Sequence, residues 1–138
     1  MDNYIKNGDF SEEGAHWEAN NPDNVTFENN TCVIAGPAKI NQYVDLLGRG
    51  DPGYPIFMFS LRVRTPRSSP ARITLTFEPI RNPLILNIDS GDDWVDIRQE
   101  FTRRSVFDVS VTLESLGSAD EGKCFFDDVK LSILPDAS

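Results

Sequence analysis

Asp127 is the residue of this 138-residue chain whose chemistry depends most on where the backbone puts it. It lies in Cys124-Phe125-Phe126-Asp127-Asp128-Val129-Lys130-Leu131-Ser132-Ile133-Leu134. Phe125, Val129, Leu131 and Ile133 follow the two-residue period of a strand with one face on a core, and Asp127 falls in phase with them. A carboxylate on an inward face must meet a cation or several hydrogen-bond donors. The last strand is therefore expected to carry a buried anchor. Asp127 and Asp128 point to opposite faces of one strand, so they cannot flank a single bond as the acids of a hydrolase do.

The other chemistry-bearing residues point away from catalysis. His16 is the only histidine. With no Cys-His partner by position and no G-x-S-x-G, nucleophilic catalysis has no visible machinery. Cys32 and Cys124 have no zinc-ligand spacing; they pair only if their strands are neighbours, and otherwise remain thiols. Asp89, Asp92 and Asp93 lack the ligand order and glycine of an EF-hand loop and read as an acidic turn. Arg62, Arg64, Arg67, Arg72 and Arg81 share a middle segment whose only acid is Glu78. These arginines are either solvated gatekeeper charges on strands or a local site for a carboxylate or polar ligand.

Alternating segments must position these groups. Tyr4–Phe10 reads as a short strand broken at Asn7-Gly8, and the segment after it as a loop held by Trp17. Val25–Phe27 and Thr31–Ala35 flank an Asn29-Asn30 turn as a hairpin. In Lys39–Leu46, Ile40, Val44 and Leu46 point inward, Tyr43 and Asp45 point outward, and Gln42 becomes a buried amide. Gly48–Gly53 reads as a loop. Phe57, Phe59, Leu61 and Val63 face a core, and Ile73–Phe77 repeats the pattern, so the two segments are expected to form a hairpin. Leu84–Ile88, a strand from Trp94 to Phe101, and Phe107–Leu113 follow. Roughly nine or ten strands without a helical period make an all-β, two-sheet antiparallel sandwich, with jelly-roll or Greek-key connections favoured. The whole chain, 1–138, reads as one domain.

Lys and Arg number 13 against 22 Asp and Glu, a net charge of −9 that opposes nucleic acid and anionic lipid as partners. No apolar run is long enough for a membrane helix, and Met1–Lys6 lacks a signal-peptide core. If the chain is complete, it starts in the cytoplasm, and any release takes a non-classical route.

Asn7-Gly8-Asp9-Phe10, Trp17, Ile40-x-Gln42-x-Val44-x-Leu46, Phe57-x-Phe59-x-Leu61-x-Val63-Arg64, Trp94 with Phe101-Thr102, and Phe125-Phe126-Asp127-Asp128-Val129-x-Leu131 occur in this order. Together they resemble the carbohydrate-binding modules of the cellulose- and xylan-binding jelly-roll families, within the galactose-binding-like fold. The resemblance covers nearly the whole chain. It implies two antiparallel sheets and a structural calcium joining first strand to last, with Asp127 as a ligand. Such modules commonly carry a glutamate ligand where this chain has Ser11. Asp9 and Glu12 are the nearby substitutes; without calcium, Asp127 is expected to accept backbone amides.

The functional expectation is a non-catalytic module binding a glycan, as a monomer or weak homodimer. The outward residues on the central strands are Arg62, Arg64, Thr74, Thr76, Glu78, Asp96, Arg98, Ser110 and Thr112, which hydrogen-bond but do not stack. Arg62, Glu78 and Arg98 are the expected ligand contacts, with Tyr43 or Trp94 supplying a ring for the apolar face of a sugar; Tyr54 is the third candidate ring. The alternative is a structural or protein-interaction module that kept the sandwich and lost the sugar site.

Overall fold

The computed structural model describes residues 3–50, 56–66, 70–78, 83–102, 106–117 and 122–134, without the side chains of 47–50, 106 and 107. Tyr54, Arg67 and Arg81 lie outside the described residues. The strands are β1 (Glu18–Ala19), β2 (Val25–Glu28), β3 (Thr31–Ala35), β4 (Ala38–Gly50), β5 (Ile56–Arg64), β6 (Ala71–Glu78), β7 (Leu84–Ile88), β8 (Trp94–Thr102), β9 (Val106–Ser115) and β10 (Lys123–Ile133). The one helical element among the described residues is a 3-10 turn, Pro22–Asn24. The strands form two five-stranded sheets, in the orders β1-β4-β9-β6-β7 and β2-β3-β10-β5-β8, with every pairing antiparallel. Each sheet buries one face against the other, which is the sandwich that the alternation requires.

The core follows the predicted phase on most strands. Ile40, Val44 and Leu46 of β4, Phe57, Phe59, Leu61 and Val63 of β5, and Ile73, Leu75 and Phe77 of β6 are all buried. Phe57 stacks on Phe101 at 5.2 Å between ring centroids, and Phe77 of the opposite sheet meets Phe101 at 5.4 Å. These rings bind β5, β6 and β8 together, each contact adding about 0.5–1.5 kcal/mol beyond its buried area. Cys32 and Cys124 are buried free thiols. Their strands are neighbours, but Cys32 lies opposite Phe126 and Cys124 opposite Ile34.

Four sequence expectations are corrected. The segment from Phe57 and the segment from Ile73 do not form a hairpin: β5 pairs with β8 and β10, while β6 pairs with β7 and β9 in the other sheet. Two strands with one alternation each are equally well buried facing each other across the core as side by side, and here the chain crosses between layers. Gly48–Gly50 continues β4, with a register shift after Asp45, rather than opening a loop. Tyr4–Phe10 is a run of turns instead of a strand, with left-handed backbone at Asn7 (φ 52°) and Phe10 (φ 55°). It still lies along β10: the Tyr4 amide donates to the Leu131 carbonyl at 2.8 Å, and the Val129 amide donates to the Gly8 carbonyl at 2.9 Å.

The fourth correction concerns Asp127. Cys124 and Phe126 are the inward residues at the start of β10, and Val129 and Leu131 those at its end. The parity changes because a bulge interrupts the pairing with β5 between Asp127 and Lys130, where Asp128 adopts φ 55°. An extra residue in one strand exchanges its faces. Phe125 and Asp127 therefore share the outer face, and Asp127 is half-buried opposite Arg62 rather than in the core. Asp128, at the bulge, also reaches this outer side beside Lys130, so the two carboxylates do not point to opposite faces as a regular strand would place them.

Candidate functional site

The strand register sorts the predicted contacts onto two faces that point away from each other. Tyr43 is on β4 and Glu78 on β6, so both belong to the outer face of the β1-β4-β9-β6-β7 sheet. Arg62 is on β5, and Trp94 and Arg98 are on β8, so these three belong to the outer face of the other sheet. No single surface holds all five.

On the first face, cross-strand neighbours form rows, because directly opposite residues on one face stand side by side. Tyr43 is opposite Ser110, which is opposite Thr76; Asn41 is opposite Thr112, which is opposite Thr74. Asp45, Asp108 and Glu78 make the next row. Asn41 Nδ2 donates to Ser110 Oγ at 2.6 Å and to Thr112 Oγ1 at 2.8 Å, which fixes the hydroxyls across two strands. Tyr43 is 62% exposed and is the most exposed large hydrophobic side chain among the described residues. Its hydroxyl donates to the Asp108 carboxylate, and that bond, with burial and the charges of Asp108, Asp45 and Glu78, pushes its pKa up to about 12. Beside the ring lies a cavity of about 360 Å3 lined by Tyr4, Lys6, His16, Gln42, Tyr43 and Asp45, among others. Gln42, at 4% exposure, is the buried amide expected from the sequence.

On the second face the aromatic rings are already occupied. The Arg62 guanidinium sits over the Trp94 ring at 4.9 Å, and that of Arg64 over Phe125 at 5.3 Å, with Trp94 and Phe125 themselves 6.3 Å apart. Trp94, 37% exposed, is thus an outward partner for arginine. Trp17 is buried in the core: it is 8% exposed, packs on Phe10 at 5.6 Å, and donates through Nε1 to the Asn7 carbonyl at 3.1 Å. Arg62 also reaches Asp96 at 3.4 Å. Below these pairs, Met58, Ser60, Arg98, Asp128, Lys130 and Ser132 line much of a cavity of about 690 Å3. Ser60 and Lys130 were not singled out from the sequence. The one signal was a small residue, Ser60, at an outward position of a strand whose next outward residues are two arginines.

The implied calcium ligands lie near the β10 bulge. Burial raises the Asp127 pKa, and the negative charges of Asp128 and Asp9 add to the rise, while the Asp128 amide and Arg62 oppose it. The Asp128 amide donates to Asp127 Oδ1 at 2.7 Å. Asp9 Oδ1 accepts the Ser11 amide at 3.1 Å, which with the Ser11 side chain holds its carboxyl below the usual range. Glu12 is exposed. Among the described residues no group of three or more His, Cys, Asp or Glu side chains is placed to hold a metal ion.

No family model matches the sequence, and no curated protein matches it. The fold itself, a jelly roll, has many solved counterparts, carbohydrate-binding modules among them. A CBM4 structure superposes with a TM-score of 0.71 at 17% identity, covering 94% of this chain and 99% of the other. The CBM61 module in complex with β-1,4-galactotriose gives 0.68 at 13% identity, covering 97% of this chain and all of that one (100%). The enzymatically active domain of the bacteriophage CBA120 tailspike protein 4 gives 0.75 at 14% identity over 96% of this chain. This chain spans only 21% of that tailspike structure.

Proposed function

We propose that this chain is a non-catalytic carbohydrate-binding module whose ligand lies across the outer face of the β1-β4-β9-β6-β7 sheet. The observation that carries this reading is the two rows of polar side chains, in which the Asn41 amide holds the Ser110 and Thr112 hydroxyls and Thr74 and Thr76 stand next to them, beside the exposed ring of Tyr43. A sugar offers both an apolar ring face and a rim of hydroxyls. Tyr43 supplies the surface for the first, and the polar rows supply donors and acceptors for the second. Glu78 and Asp45 flank the rows as further acceptors. The jelly-roll neighbours support the reading, since two are carbohydrate-binding modules matched over nearly their whole length.

The test is calorimetry and affinity electrophoresis of the folded protein against soluble β-1,4-linked glucan, xylan and galactan. Binding to at least one is expected, with Tyr43→Ala weakening it by about tenfold, the loss of one stacking contact. A folded protein that binds no saccharide would overturn the reading.

A further inference from the structure

The second face carries a feature that the first does not. Ser60 of β5 lies directly opposite Arg98 of β8 on one side and Lys130 of β10 on the other. The two cation-bearing strands are two strand spacings apart, roughly 10 Å, and both side chains are long enough to lean over the short serine between them. The result is a notch with a hydroxyl at its floor, a cation on each wall, and the nearly buried Met58 (7% exposed) as the next outward residue of β5.

The charges around the notch are not equivalent. Arg62 is held by Asp96 at 3.4 Å, and Lys130 meets Asp128 at 3.5 Å. Among the described residues Arg98 has no ion pair or hydrogen bond for its guanidinium. A guanidinium is a planar fork of donors matched to a carboxylate, so Arg98 is the group with unused capacity. The cavity, about 690 Å3, is of the size that holds an organic ligand and far larger than an inorganic anion needs. Asp96 and Asp128 on its rim repel densely charged ligands such as polysulfates, yet they are good acceptors for hydroxyl groups.

We propose that this notch binds the carboxylate of a uronic acid residue in an acidic saccharide. Arg98 and Lys130 hold the carboxylate, Ser60 Oγ donates to it, Asp96 and Asp128 accept from neighbouring sugar hydroxyls, and Met58 underlies the ring. The assignment rests on the saccharide-binding reading above, but it places a second site on the opposite sheet and gives that site a different ligand class.

Calorimetry of the full chain with oligogalacturonate and oligomannuronate tests it, alongside the same oligomers with their carboxyl groups reduced to alcohols. Binding of at least one acidic oligomer is expected. Carboxyl reduction, the double substitution Arg98→Gln with Lys130→Gln, and the notch-filling Ser60→Tyr should each weaken it by about tenfold or more. Acidic binding that survives both the charge removal and Ser60→Tyr would overturn the site. So would displacement by equimolar inorganic phosphate, which would mark a general anion site, and so would equal binding of an Asp/Glu-rich peptide. Binding of neutral glycans only would overturn the notch and leave the first face intact; binding of no saccharide at all would remove both.

Discussion

Lys6 and Gln42, 36 residues apart, exchange two hydrogen bonds: the Lys6 amide donates to Gln42 Oε1 at 2.7 Å, and Gln42 Nε2 donates to the Lys6 carbonyl at 2.8 Å. A side-chain amide here acts as a strand would, completing the backbone pairing of a segment made of turns. Gln42→Leu keeps the volume and leaves both backbone groups of Lys6 without these partners. A loss of about 1–3 kcal/mol is expected in denaturant unfolding, and Gln42→Glu, which loses the donor, should not restore it.

Gly8 is needed for a different reason. A Cβ at this position would collide with the Val129 carbonyl oxygen of β10, a backbone atom that cannot step aside. Gly8→Ala is expected to cost roughly 3 kcal/mol, visible as a lowered thermal midpoint. Gly91→Ala probes the opposite case, because a Cβ there has open space and the strain comes only from its φ of 62°. Its loss should be about 1 kcal/mol or less.

Asp127 should make the protein less stable as pH rises through the carboxylate range. Its folded pKa lies above the ordinary 3.8, so the folded state holds its proton more tightly than the unfolded chain does. Stability from this group is full below the unfolded value and is lost as pH climbs through the folded one. Asp127→Asn, which can still accept the Asp128 amide, is therefore expected to raise the thermal midpoint at pH 7, with the gain vanishing near pH 3.

Tyr43 provides a spectroscopic handle on the first face. Its hydroxyl donates to Asp108 amid three carboxylates, and its pKa is pushed up to about 12. In Asp108→Asn, one tyrosinate absorbance step should move down toward 10, the ordinary tyrosine value. An unchanged titration curve would mean that the ring does not lie against Asp108 in solution.

Cys32 and Cys124 should be inert in the folded protein. Both are buried, and burial alone raises the Cys32 pKa far above the thiol norm. A thiol-reactive chromogen is expected to label neither until denaturant is added, and then both. Labelling without reductant after unfolding would also show that no disulfide had formed.

Where alternation alone set the outcome, as at Phe57–Val63 or Ile40–Leu46, the residues were legible in the sequence down to the buried Gln42. Pairing was less so. A period of two tells which side chains face a core but not which sheet a strand joins, so β5 and β6 read as partners although they stand in opposite layers. That error carried into the site: Arg62 and Glu78 looked like one surface and lie on two. The inward reading of Asp127 failed for a local reason, a one-residue bulge whose marker, Asp128 at φ 55°, is common for aspartate and invisible to a count of apolar residues. Trp94 could not be assigned from its type, because its position depends on Arg62 arriving from the next strand.

The bulge also pins the closing strand in place. On either side of it β10 shows opposite parities to the same neighbour, so no rigid slide of the strand can keep both halves matched to the core. Moving by one position would bury Phe125 and Asp127 together with Lys130. A strand with no interruption could creep along its neighbour two residues at a time; this one is locked by its own defect, and chain closure has a single permitted alignment.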